Sequence, residues 1–265
     1  MAKEKKFGIC LFCDNHKELR RSHTINRTFF SRLLKSCKDN NAAKVIKMST
    51  NIIGNSNDNW TDHLLCGQCE SYFNKHFDGY GANVLRGEIS GQQIYEFRDL
   101  IIYKNIDPLK IIFFILSLYW RGAKSKHPSY SLLITSDEMH NFIKKAFETR
   151  ELKFDYFNVK VSVIYDSLGA INKDTIKQFI VSPFNRVYEN KKLFSVCFLF
   201  EGFFIELFFG KLTYSMKKKN QFLNPNSRIM RCEKLDFHDI KELHPLFSHM
   251  FKVEELMEKN NFPVK

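Results

Sequence analysis

Two cysteine doublets constrain this chain more than any other feature: Cys10-Leu11-Phe12-Cys13 and Cys66-Gly67-Gln68-Cys69. A Cys-x-x-Cys turn lets two sulfurs face one ion, and two such turns supply the four thiolates of a tetrahedral zinc site. A redox doublet would sit beside a βαβ unit, and neither pair does. Ile9 and Leu65 precede the pairs and can pack beneath them, and Gly67 eases the second turn. Fifty-two residues separate the doublets, so a segment is inserted between the two halves of the site. Cys37, Cys197 and Cys232 have no partner at ligand spacing and read as ordinary core or surface thiols.

Composition narrows the setting. The first ten residues, MAKEKKFGIC, hold charge but no apolar leader, and the longest largely apolar run, Ile111–Trp120, spans ten residues. A membrane helix needs about 20, so a cytoplasmic chain with reduced thiols and no membrane partner is expected. The 265 residues carry 41 Lys+Arg against 29 Asp+Glu, a formal charge of +12. Twelve of those cations and only four acids fall in residues 1–50, whereas residues 51–90 hold two cations and five acids. Such a basic N-terminal field suits a polyanion, with DNA the favoured partner, although the same charge also serves solubility.

The pattern along the chain predicts an α+β protein. Residues 1–87 are short apolar pieces among loops and hold the cysteines, and residues 88–265 form an expected second, α+β domain. Residues 88–152 read as helical. Asp107-Pro108 is a helix start, so a central apolar helix is expected over about 108–121, and Thr135-Ser136-Asp137-Glu138 opens another helix. Strands are expected over about 156–212. Phe157–Val163 alternates with period two, and Lys192–Leu199 and Phe203–Phe209 flank the turn-like Glu201-Gly202 as an antiparallel hairpin. His249–Lys259 reads as a C-terminal helix.

Several polar residues stand out as site candidates. His23 follows the first doublet inside the basic Arg20-Arg21-Ser22-His23 stretch, where a spare ligand, a general base and a structural histidine are all open readings. After the second doublet come Glu70 and, four residues on, Asn74, which share a helix face; His76 does not. Arg121 ends the apolar helix and can either satisfy its carbonyls or bind phosphate. With Arg20, Arg21 and Arg27 it makes the expected nucleic-acid contact set.

The order Cys10-x-x-Cys13, Ser22-His23-x-Ile25, Leu64-Leu65-Cys66-x-x-Cys69 resembles the zinc-stabilised HNH (ββα-metal, treble-clef) endonucleases. The resemblance implies that residues 1–87 are a treble-clef zinc domain ahead of a helical segment and an antiparallel sheet. It maps Cys10, Cys13, Cys66 and Cys69 to structural zinc and His23 to the general base that activates water on a phosphodiester. Glu70 and Asn74 would then hold Mg²⁺ or Mn²⁺, and the middle Asn of the motif would be Asn55, Asn57 or Asn59. The implied activity is a metal-dependent DNA endonuclease or nickase. The alternative is an inactive zinc module that binds nucleic acid or a protein partner, including a second copy of itself. The chain has Ser22 where the family has an acid or His, and Asn26 where Pro is common. It is also similar to uncharacterised bacterial HNH-like proteins that share Ser-His-x-Ile, Leu-Leu-Cys-x-x-Cys-Glu and a helix ending like Leu116-Ser117-Leu118-Tyr119-Trp120-Arg121. Those belong with accessory and phage-defence genes.

Overall fold

The computed structural model describes residues 5–36, 43–50, 52–56, 58, 60–152, 156–169, 171–188, 193–219 and 221–244. Cys37, Asn57, Asn59, the Asn55 side chain and the expected helix over His249–Lys259 lie outside that set.

Two sheets organise the molecule. The small one is antiparallel, in the order β1 (Lys6–Ile9), β2 (His16–His23), β5 (Thr61–Cys66). Between β2 and β5 the chain forms α1 (Arg27–Ser36) and a hairpin, β3 (Ala43–Lys47) and β4 (Ile52–Ser56). After β5 the chain turns directly into α2 (Gly67–Phe73), passes one π turn (Asn74–Asp78) and continues as α3 (Gly79–Arg86). A second hairpin, β6 (Gln93–Glu96) and β7 (Leu100–Lys104), leads to α4 (Pro108–Gly122) and α5 (Asp137–Thr149). The remainder is β8 (Phe157–Tyr165), α6 (Lys173–Ile176), β9 (Phe179–Tyr188), β10 (Leu193–Phe200), β11 (Phe203–Phe209), α7 (Tyr214–Lys219) and β12 (Ile229–Asp236).

The large sheet has nine strands in the order β4-β3-β9-β10-β11-β8-β12-β7-β6. It is mixed rather than purely antiparallel, because β3–β9 and β12–β8 run parallel. Its centre is apolar on both faces, and every residue of β11 is buried. Phe198, Phe200 and Ile205 join the core shared with the helices, while Leu199 and Phe204 join a second cluster with Phe179, Phe237 and Leu243. The strand period of two sorts these side chains to opposite faces.

Local signals in the sequence built the elements they marked. The Asp107 side chain caps the Lys110 N–H (3.3 Å) with Pro108 in the first turn, and Ser136 Oγ caps the Met139 N–H (3.1 Å). The Phe-rich hairpin closes with Phe200 opposite Phe203. Its turn residues Glu201 and Gly202 both take positive φ, 48° and 78°, the signature of a tight primed turn.

Three expectations are corrected. Residues 93–104 are a hairpin, not helix, because Tyr103 and Ile101 need a sheet face to be buried. The strands run on past 212 to β12, which lies between β8 and β7 and joins them into one sheet. The hairpin β3–β4, from within residues 1–87, belongs to the large sheet through β9. One core accordingly runs across residue 87. Phe73 stacks on Trp120 (5.6 Å between centroids), Phe29 meets Phe200 (4.6 Å), and buried Arg86 pairs with Glu201 (2.7 Å). Gly81 of α3 sits against Phe114 of α4 so closely that a Cβ there would lie 2.2 Å from the ring. Among the described residues no helix is long and apolar enough to cross a membrane.

Candidate metal centre

The first cysteine doublet occupies the β1–β2 connection. Cys10 N–H donates to the Asn15 carbonyl and Asp14 N–H to the Cys10 carbonyl, both at 3.0 Å, with Asp14 at a φ of 56°. Leu11 N–H reaches the Leu64 carbonyl of β5 (2.9 Å), and Lys144 of α5 pairs with Asp14. This docks the turn beside the second doublet, where Cys66 ends β5 and Cys69 lies in the first turn of α2. Strand and helix meet with no linker, so both sulfurs are delivered by regular structure.

The four Sγ atoms lie within 4.8 Å of one another, with Cys13 and Cys66 at 4.0 Å. Sulfurs around a tetrahedral zinc at about 2.3 Å would sit roughly 3.8 Å apart, so the cluster is a near-complete cage. Cys66 N–H also donates to Cys10 Sγ (3.3 Å), a bond that favours a thiolate. Burial pushes the Cys10 and Cys69 thiols above their ordinary value. At Cys13 burial is outweighed by the Asn15 backbone and the neighbouring thiols, which bring it to about 7. A bound cation would override these differences and hold all four deprotonated. Cys197 and Cys232 are fully buried, apart from the cluster.

A second set of polar groups converges where β2 ends against α2. Ser22 is fully buried; its hydroxyl donates to Glu70 Oε2 (2.7 Å) and accepts from Leu65 N–H (3.3 Å). Burial raises the Glu70 carboxyl, opposed by the charge of Arg121. Arg121 is itself wholly buried. Its Nη2 donates to Asp78 Oδ1 (2.8 Å), Ser117 Oγ (3.1 Å) and the Thr24 carbonyl (3.3 Å), and its Nε to the Ser117 carbonyl (3.2 Å). Ser117 Oγ donates in turn to Asp78 Oδ1 (2.9 Å). Burial also raises Asp78, against the same arginine. The π turn matters here. At about 100° per residue an α-helix would place position 78 roughly 80° around from position 70. The wider turn takes up that angle, so Glu70 and Asp78 both address Arg121.

The expected site residues are therefore only partly brought together. Ser22 and Glu70 meet. His23 lies beside them but is largely buried, and its Nε2 has no hydrogen-bond partner. Burial, then the charges of Arg27, Arg121 and Arg21, lower it to about 4, so it is neutral at physiological pH. Asn74 is exposed, one α turn on from Glu70, and makes no hydrogen bond with it among the described residues. His76 packs against Tyr72 (4.7 Å, rings tilted by 48°). Arg20, Arg21 and Arg27 are exposed as expected, but Arg121 is not available to a surface ligand: Asp78 and Ser117 hold it inside. Sequence reasoning missed both of those partners. Ser117, one hydroxyl in an apolar helix, was the available sign; nothing local marks Asp78.

The buried histidines set an acid limit. His23 and His140, the latter stacked on Trp120 (4.9 Å), are both held near 4 by burial. Each favours the fold fully above its ordinary value of about 6.5, and that contribution is lost as pH falls through about 4. Glu70 and Asp78, raised rather than lowered, act in the opposite sense. The expected result is a urea midpoint that falls from pH 6.5 to 4.5, with a smaller fall in His140→Phe. Identical slopes in the two proteins would contradict it.

Compared with protein-family models, curated proteins and solved structures, the chain finds no match.

Proposed function

We propose that this chain is a nucleic-acid-binding protein built on an HNH-like, treble-clef zinc domain whose catalytic position is closed. The four thiols hold one structural zinc, and DNA is the expected ligand. The observation that carries the binding reading is the outer face of the β1–β2 hairpin. Phe7 (59% exposed) and Ile9 (62%) stand out from β1 in register with Glu18 and His16 of β2. Phe7 and His16 stack at 6.4 Å, with Lys5 and Arg20 on either side of Glu18 (3.3 and 3.5 Å). Lys6 and Arg21 add exposed charge. Exposed rings between cations suit bases and phosphates together.

Three features weigh against phosphodiester hydrolysis. Ser22 and Glu70, where ligands for a divalent ion would lie, hydrogen-bond to each other. Asn74 is exposed and makes no hydrogen bond with Glu70 among the described residues. The buried guanidinium of Arg121 puts a fixed positive charge beside Glu70 and His23, where an incoming Mg²⁺ or Mn²⁺ would be repelled.

The test is fluorescence anisotropy with a labelled 20-nucleotide DNA, single- and double-stranded, at 50 and 200 mM salt. Binding should weaken at least tenfold across that range, and Lys5→Glu with Arg20→Glu should weaken it about tenfold more at 50 mM salt. Salt-independent or absent binding would end the nucleic-acid reading. Plasmid incubated with Mg²⁺ or Mn²⁺ should stay intact; cleavage abolished by His23→Ala would reinstate the endonuclease.

A further inference from the structure

A separate feature of the fold is a cavity of about 600 Å³ between the helical layer and the large sheet, within the size range of small-molecule sites. Leu33 of α1 and Leu85 of α3 form one wall, and Ile101 of β7, Val163 of β8 and Phe203 of β11 the other. It lies far from the cysteines in the chain and uses none of the residues assigned to DNA contact.

Its lining is of two kinds. Tyr103, a largely buried residue, lines the cavity, and its hydroxyl has no hydrogen-bond partner among the described residues. Burial keeps that phenol protonated far above neutrality. At the mouth the side chains are exposed and charged. Arg32 faces Glu88 (3.0 Å), Lys177 faces Asp174 (3.5 Å), and Glu96 lies between Lys234 (2.8 Å) and Lys173 (3.9 Å). Four cations thus meet three acids, one positive charge in excess. These pairs are solvent-exposed, hence weak and readily exchanged for a ligand's anion. The remaining pair in the cavity, Arg86 with Glu201, is locked by two bonds of 2.7 and 3.0 Å and adds no net charge.

We propose that this cavity is a binding site for a small organic monoanion with an apolar body, its charged group beside Lys173 and Lys177 and a hydrogen-bonding atom against Tyr103. The lining supplies each recognition element: cations, apolar walls and one hydroxyl that no described residue engages. A cationic ligand would meet the excess positive charge, and a wholly apolar one would leave the hydroxyl unmet.

The experiment uses three probes of one shape, titrated calorimetrically into the full chain. 6-Hydroxy-2-naphthoate carries all three elements, 2-naphthoate lacks the far hydroxyl, and 6-hydroxy-2-naphthamide lacks the charge. The first should bind one to one. Tyr103→Phe, which removes a single oxygen, should weaken it about fivefold and leave 2-naphthoate unchanged. Lys173→Glu with Lys177→Glu, both on the surface, should weaken the two naphthoates about tenfold and leave the amide unchanged. The proposal is overturned if 6-hydroxy-2-naphthoate shows no saturable binding to about 5 mM. It is equally overturned if Tyr103→Phe affects both naphthoates alike, or if the lysine reversals leave them unaffected. Retention of DNA by the Tyr103→Phe protein would be unchanged in every case.

Discussion

Cys69→Ser is expected to lose the bound zinc and much of the N-terminal fold with it. The wild-type chain should carry one zinc by elemental analysis, and the variant less than ~0.2. Structural zinc contributes about 10–16 kcal/mol of apparent folding free energy in isolated fingers. Here a hydrophobic core shares the task, so a loss of at least about 5 kcal/mol is expected, a drop of roughly 10–20 °C in Tm. The physical reason is that the sulfurs tie both knuckles together. Besides them, the first knuckle is held by the Leu11–Leu64 backbone bond, the Lys144–Asp14 pair and Phe12, which packs on Tyr72, Phe73 and Trp120. Cys10 and Cys66 are buried to 0% and 2% exposure, so without a metal two doublets of thiols would be left in apolar surroundings. Cys197→Ser, equally buried but outside the cluster, should keep its zinc. A Cys69→Ser protein within ~2 °C of wild type that also ignores chelator would remove the metal from the fold.

Arg121→Ala is expected to cost about 3–5 kcal/mol, since it abandons a carboxylate in the interior. Asp78 has 2% of its side chain exposed, and Arg121 is its only cationic partner among the described residues. Arg121→Lys should recover little, because an ammonium cannot reach Asp78, Ser117 and the Thr24 carbonyl together as the planar guanidinium does. Arg121→Met combined with Asp78→Leu should recover most of the loss, because no charge then remains buried. Chemical denaturation of the four proteins decides the matter. An Arg121→Ala chain less than about 1 kcal/mol below wild type would mean that water reaches the site and the pair is not sealed.

The sequence made some of this legible and not the rest, for physical reasons. Cysteine doublets carry their spacing in the chain itself, so the four ligands could be named before any fold. Asp107, Ser136 and Glu201-Gly202 act within four residues of themselves, and each did what local chemistry dictates. Arg121 was visible as a charged end to an apolar helix, but its meaning depends on Asp78, 43 positions earlier. The three-way meeting of Ser22, Glu70 and Arg121 depends on a π turn that no residue type announces. Nor does anything in Ala43–Lys47 point to Phe179–Tyr188, and short apolar stretches such as Leu100–Lys104 fit a helix as well as a strand until their partner is known.

That last pairing has a consequence for how the chain is made. The stretch between the two cysteine doublets leaves the ribosome early, yet β3 pairs with β9, whose sequence emerges some 130 residues later. All four sulfurs are available once Cys69 is out, so a metal can be captured before the large sheet is complete. Until β9 arrives, β3 lacks that neighbour, and the flanks of β3–β4 lead back to the two cysteine doublets. With zinc bound there, the search that β3 makes for its neighbour would be shorter, since both flanks of the hairpin would be held in place while the rest of the chain arrives.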